Sequence, residues 1–580
     1  MAPETETYDS GRSNRTAAHV ILAALKRHGV DKMFGQSIPS QLYLAAPEFG
    51  IRQVSFRTEK AGPMMADGFA RISNRVPVVT SISGPGAALL VPGLGEAFKT
   101  SIPMVVLIQD TPRPHTDRNH AQDLDHFDLL RAVTKMVRRV GRADRIDDYI
   151  DMAFTTAAGG RPGPVALLLP GDLFNDPAPT TTGAGRIASL GRFPLDRVMA
   201  DPSAIARAAE LIAGAENPVI VAGGGVHVSQ AQNELARLQD LASLPVATTM
   251  MGKGVVDEVH PLSVGVVGYV MGRQAASHGY RAILERTDLV FLIGNRTNQN
   301  GTDNWSIFPR GARFIHLDID GQEVGRNYEA ERLVGDARLT LQALNGALEN
   351  RDLSRRDAAR AGLVQEIEAG RKSFAIEVAG LVGSDAAPIR PERVMAELES
   401  RMTPESILVA DASYATIWAA NYVRFARVGQ RFISPRGLAG IGWGFPMALG
   451  AKLAAPDAPV WFLGGDGGFA HSWGELETAR REGIKLGAII LNNQVLGYQK
   501  DAEDIGFGAH STACHFEPVD HAAIARACGW QGIRVEAADE IAPALAKAEE
   551  ASVPTLIDVI SDPNAPAPIT AFDGKLQVQT

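Results

Sequence analysis

A chain of 580 residues is too long for one hydrophobic core and predicts about three domains. Its makeup is globular, 45% hydrophobic and 21% charged, and a net charge of −9 excludes broad binding to nucleic acid or an anionic membrane, though not a local basic pocket. Only Cys514 and Cys528 are present, without metal-ligand spacing, and the polar start MAPETETYDSGRSNR has no apolar signal core, so a reducing, cytoplasmic setting is expected.

Thr16 to His28 reads as a short amphipathic helix, and the apolar piece ending at Gly35 as the first strand-to-helix turn. Gln53 to Phe56 is a strand. After it Ala61, Met64, Met65, Gly68, Phe69 and Ile72 recur at helical spacing, and Pro63 is tolerated only in a first turn, so this helix begins near Thr58 or Lys60. Glu59 therefore stands between a strand end and a helix N-terminus, where a carboxylate is favoured by the helix dipole alone. Val78 to Ile82, Met104 to Gln109 and Val165 to Leu169 read as further buried strands. The uncharged stretch Val76 to Gly95 is long enough to span a membrane, but its Ser, Thr, Pro and Gly favour a buried strand and a glycine loop. Thr111 to Phe127 reads as a solvated loop, in which His115, His120 and His126 suit structural and catalytic roles equally.

A segment rich in Pro, Gly and Thr, Pro177 to Gly191, marks a boundary. Beyond it Val219 to Ala222 runs into three glycines and a helix, a pattern that fits a nucleotide-type turn and also a purely structural one. Leu289 to Ile293 precedes Gly294-Asn295-Arg296, and Phe314 to Ile319 precedes Asp320. Arg296 is placed to clamp a phosphate and Asp318 or Asp320 to bind ribose hydroxyls, while exposed loop charge explains them as well. Arg351 to Lys372 is a charged helical connector.

After Pro388 and Pro391 a third α/β unit begins, and the strand Ile407 to Ala410 leads into Asp411-Ala-Ser-Tyr-Ala-Thr. The richest stretch follows. An apolar run ends in Gly464-Gly-Asp-Gly-Gly, a helix intervenes, and a second apolar run, Ala488 to Leu491, delivers Asn492-Asn493: one β-α-β unit with polar groups at two parallel strand ends. Asp466 offers a carboxylate and Asn493 an amide oxygen, a donor set suited to Mg²⁺ shared with a diphosphate, which Gly467 and Gly468 let approach closely.

Either half alone is an ordinary turn, but the paired Gly-Asp-Gly…Asn-Asn resembles the cofactor signature of the thiamine diphosphate enzymes, and nearly the whole chain is similar to their acetolactate synthase-like branch. The resemblance implies an α/β fold of three doubly wound parallel-sheet domains: pyrimidine-binding (14–180), central Rossmann-like (195–350) and diphosphate-binding (385–565), with 566–580 as a disordered tail or a lid. Glu59, in a Glu…Ala-Asp-Gly-Phe-Ala-Arg pattern, would contact the cofactor's aminopyrimidine ring, and Gln122 would lie near the reacting centre. Ser413, Tyr414 and Ala415 match the diphosphate loop. Ala439 and Ile441 match the loop that bends the cofactor, with Gln494 and Gly497 lining it. Val495 would give its carbonyl to the metal. The central domain would hold ADP, the ADP part of coenzyme A, a flavin or nothing. The partners implied are a small-molecule substrate and further copies of the chain, a homodimer or homotetramer, with no nucleic acid and no membrane.

At the substrate end the chain departs from acetolactate synthases. Gly171 stands where they place a Lys, Tyr498 and Ala502 where they place Met and Trp, and Ala121 where related chains have Phe. These departures lead to an expected 2-hydroxyacyl-CoA lyase giving formyl-CoA and a carbonyl compound. The alternative is an acetolactate synthase, or a related decarboxylase or acetyltransferase, acting on a 2-oxo acid.

Overall fold

The computed structural model describes residues 15–178 and 186–573. Among the described residues eighteen strands form three six-stranded sheets, parallel throughout in their ladders. The first holds β1 (Lys32–Phe34), β2 (Arg52–Val54), β3 (Val78–Ile82), β4 (Met104–Asp110), β5 (Met136–Arg139) and β6 (Pro164–Pro170), in the order 2-1-3-4-6-5. The second holds β7 (Pro218–Ala222), β8 (Val246–Thr248), β9 (Ser263–Val266), β10 (Leu289–Ile293), β11 (Arg313–Asp318) and β12 (Glu331–Val334), in the order 12-11-10-7-8-9. The third holds β13 (Ile407–Ala410), β14 (Phe432–Ile433), β15 (Val460–Gly465), β16 (Gly487–Asn492), β17 (Gln531–Val535) and β18 (Thr555–Ile560), in the order 14-13-15-16-18-17. The first and third sheets thus share one topology. The second, read from its other edge, has the 3-2-1-4-5-6 order of dinucleotide-binding folds.

Helices cover both faces, so the inner strands are buried on both sides and read as unbroken apolar runs, as in Val105 to Ile108. Strand order reverses between β1 and β3, β7 and β10, and β13 and β15, and each reversal opens a crevice at the carboxyl ends. The stretch Val76 to Gly95 resolves into β3 and the start of the helix Pro85–Thr100. No helix among the described residues is long and apolar enough to cross a membrane.

The first and third sheets are tied within one chain by two packed helices, Ala61–Ser73 and Gly444–Ala454. A Cβ on Gly68 would lie 2.0 Å from the Met447 carbonyl oxygen, and one on Gly450 1.8 Å from that of Met65, so glycine is what lets the two backbones touch. The buried Arg71 spans the same seam, with Nε on Asp67 at 2.5 Å and Nη1 on the Ser434 carbonyl. Gly450→Ala is expected to force the helices apart and to lower the thermal midpoint by the equivalent of about 1–3 kcal/mol. An unchanged midpoint would contradict this packing.

Of the segment read as tail or lid, residues 566–573 pack against the body. Ala567, Ile569 and Phe572 are buried, Thr570 N–H donates to the Tyr269 carbonyl at 2.8 Å, and the Asp573 carboxylate accepts from Arg273 N–H at 2.7 Å. The remainder of that segment, and part of the boundary stretch Pro177 to Gly191, lie outside the described residues.

Candidate active site

At the β13/β15 crevice, β15 ends in Gly464-Gly465 and a short helical turn, Asp466–Phe469, begins at once. Beside it β16 ends at Asn492, with Gly465 in register with Leu491. This register brings Asp466 and Asn493 to one cavity, together with Ser413, Tyr414, Ala415, Ile441, Gly467, Gly468, Val495 and Gly497. Gln494 turns the chain at φ 59°, and its N–H donates to Asp466 Oδ2 at 3.0 Å. Burial pushes the Asp466 carboxyl up to about 6, against backbone N–H bonds that lower it. Asn493 Oδ1 accepts from Val495 N–H at 3.2 Å, and the Val495 carbonyl from Gly497 N–H at 2.9 Å. The donors are a carboxylate, an amide oxygen and a carbonyl, all hard oxygens, which fits a small divalent cation. A Cβ on Gly465 would meet nothing within 4 Å, so the strand end opens onto free space for a ligand.

Not every residue matched by motif reaches this cavity. Gln494 acts through its backbone, and Ala439 is exposed at φ 61°. Tyr498 lies beyond the cavity wall, with its ring 6.0 Å from Tyr414 and 5.6 Å from Phe572. Tyr414 donates its hydroxyl to Asp501, and burial raises its pKa.

Two carboxylates that the sequence reading passed over hold the Gly437–Gly444 loop. Asp411 is buried, its carboxyl pushed up to about 6 by burial, and it accepts from Gly442 N–H at 2.6 Å and Gly444 N–H at 2.9 Å. Glu96, fully buried in the first domain, accepts from Gly437 and Leu438 N–H at 2.7 Å each. Ile441, between these anchors, is half-buried and stands in the cavity wall. Asp411 follows a buried strand as Asp466 does, a signal available in the sequence. Glu96 gave none.

Glu59 precedes the helix Ala61–Ser73 and is half-buried. Its Oε1 lies 3.7 Å from where a Gly86 Cβ would be, at the start of the helix after β3. Gln122 packs its backbone on the same turn: a Cβ on Gly84 would come within 2.5 Å of the Gln122 carbonyl oxygen. His126 fixes that turn, since its Nε2 accepts from Gly84 N–H at 2.9 Å while Nδ1 faces the buried Asp110 at 2.9 Å. His126 is therefore structural, whereas His115 and His120 stack on one another on the surface. The buried Glu475, on the helix after the Asp466 turn, accepts from Arg57 and Thr58 N–H and so orients the approach to Glu59. Among the described residues, every one lining the Asp466 cavity lies at or beyond Pro391, and neither Glu59 nor Gln122 is among them.

The central crevice lies at the β7/β10 reversal, lined by Gly223 to Gly225, Arg296 and Asp318. Burial pushes Asp318 up to about 6 and lowers Arg296. Arg296 also donates to the Lys99 carbonyl. Asp320 is drawn off by Arg161 at 3.2 Å and does not line the crevice, whereas Arg161 does, a residue the sequence reading did not single out.

Comparison with known proteins agrees with this division. Residues 15–129 match the thiamine pyrophosphate enzyme N-terminal TPP binding domain, 205–344 the central domain and 411–559 the C-terminal TPP binding domain. A probable acetolactate synthase large subunit of Methanocaldococcus jannaschii is 32% identical over 96% of this chain and 94% of its own length. An acetolactate synthase large subunit of Parasynechococcus marenigrum is 30% identical over 94% and 87%. The chloroplastic acetolactate synthase of Arabidopsis thaliana is 30% identical over 94% and 81%. The chain belongs to the thiamine pyrophosphate (thiamine diphosphate, TPP) enzymes, as an acetolactate synthase-like member that carries out carbon–carbon bond chemistry.

Proposed function

We propose that the chain is a Mg²⁺-assisted, TPP-dependent carboligase that releases CO2 from a 2-oxo acid and transfers the remaining acyl unit to a second carbonyl compound. The observation that carries this reading is the meeting of Asp466 and Asn493 at one cavity, in a chain whose full-length relatives are named acetolactate synthases. Bound there, TPP supplies a nucleophilic thiazolium carbon and an electron sink. Asp466, the Asn493 amide and the Val495 carbonyl hold the cation. Gly467, Gly468 and Ser413 to Ala415, which line the same cavity, would hold the diphosphate. Ile441, in a loop held by Glu96 on one side and Asp411 on the other, would contact the cofactor. Glu59 would face the cofactor's pyrimidine edge as the carboxyl that exchanges a proton with it, and Gln122 would lie on the substrate side. Because the Asp466 cavity takes nothing from the first domain of its own chain, Glu59 and Gln122 come from a second copy, and a homodimer is the smallest active unit.

The departures at Gly171, Ala121, Tyr498 and Ala502 then concern which 2-oxo acid and acceptor fit. The lyase reading would require the central crevice, lined by Arg296 and Asp318, to take a nucleotide. Incubation with TPP, Mg²⁺ and either pyruvate or a panel of 2-hydroxyacyl-CoAs separates the two. Acetolactate from pyruvate is the expected result. Formyl-CoA from the panel, with none from pyruvate, would overturn it.

A further inference from the structure

The cavity at Asp466 has an unusual charge makeup for a site that takes a diphosphate. Among the described residues no Lys, Arg or His lines it, while Asp411, Asp466 and Asp562 do. Asp411 is spent on Gly442 and Gly444 N–H, and Asp562 is paired with Arg390 at 3.3 Å. A diphosphate held here must rely on the cation and on neutral donors, so each neutral donor counts for more. Of the hydroxyls in the wall, that of Tyr414 is committed to Asp501.

Ser561 is the first residue beyond β18, which runs beside β16. Its N–H donates to the Asn492 carbonyl at 3.0 Å, which fixes it one residue from the Asn493 end of the cavity. It is 2% exposed and lines the cavity, yet its Oγ has no hydrogen-bond partner among the described residues. A buried hydroxyl without a partner is unfavourable, and native structures rarely keep one that no ligand or water satisfies. We propose that Ser561 is a further cofactor-binding residue, whose Oγ–H donates to a phosphate oxygen of the bound diphosphate. This rests on the TPP and Mg²⁺ reading given above, and extends the binding wall from β13, β15 and β16 to the end of β18.

The test is calorimetric titration of the full chain, in excess Mg²⁺, with TPP and separately with inorganic pyrophosphate, which carries the phosphates alone. Ser561→Ala is expected to weaken both ligands about ten- to hundred-fold, as for a lost hydrogen bond to a charged group. The ligand-free thermal midpoint should hold or rise, because no bond is lost in the empty protein. Ser561→Cys, which keeps the size and weakens the donor, should fall between. Equal binding by wild type and both variants overturns the proposal, as does a loss of binding that merely follows a drop in the ligand-free midpoint. If the wild type itself takes up neither ligand with Mg²⁺, the cofactor reading fails, and this proposal with it.

Discussion

Glu59→Gln is expected to lower turnover by about 10²–10⁴-fold while TPP and Mg²⁺ still bind within a few-fold of wild type. The substitution keeps the shape of the side chain and removes only its ability to hold and release a proton. Glu59 is half-buried beside Gly86, and its approach is fixed through the backbone of Arg57 and Thr58 by Glu475. The variant should therefore fold as the parent does, with a change of no more than about 1 kcal/mol from the lost charge at a helix start. Steady-state turnover and a cofactor titration on the same preparation check both halves. Turnover near that of wild type would remove Glu59 from the chemistry.

Asp466→Asn has the larger effect on binding. Exchanging the anionic ligand for a neutral amide should weaken Mg²⁺-dependent TPP binding by about 100-fold or more, and activity with it. Its effect on the ligand-free protein runs the other way. The folded carboxyl, at about 6, lies above its unfolded value of 3.8, so its ionisation costs stability progressively as pH rises from about 4 to 6, and the cost is complete at neutral pH. The ligand-free variant should then be at least as stable as the parent at pH 7, by up to roughly 2–3 kcal/mol, and lose that advantage near pH 4. A variant less stable at pH 7 would contradict this account of the carboxyl. Mixing Glu59→Gln with Asp466→Asn chains adds a test of the shared site. Exchange of subunits should restore activity, since one site then joins an intact Glu59 to an intact Asp466. No recovery would argue for a site completed within one chain.

The long buried strands were legible because a parallel strand covered on both faces is an unbroken apolar run, as in Met104–Asp110 and Pro164–Pro170. Three of the edge strands were not. Met136–Arg139, Glu331–Val334 and Gln531–Val535 carry charge or alternate, and at four or five residues they leave no periodic signature. Asp466 and Asn493 could be read because each directly follows an apolar run, so the positions of both are set locally. Glu96, Glu475 and Ser561 could not, since their importance lies in what they meet: the Glu96 bond to Gly437 closes a separation of 341 residues. The pairing of Asp320 is hidden for the same reason, its partner Arg161 being 159 residues away. The prolines after Ser561 suggested disorder, yet Ala565, Ala567 and Ile569 alternate with polar or proline positions and are buried. An extended segment without a ladder can still be buried along its length, as 565–569 are, prolines included.

The central claim is that an aspartate and an asparagine at neighbouring strand ends share a divalent ion with a diphosphate. Its most direct measurement is the anomalous scattering of Mn²⁺ in crystals grown with TPP. The account predicts one strong peak within metal–oxygen bonding distance of the Asp466 carboxylate, the Asn493 amide oxygen and a phosphate oxygen. Cofactor bound at full occupancy with no peak between those two side chains would contradict it.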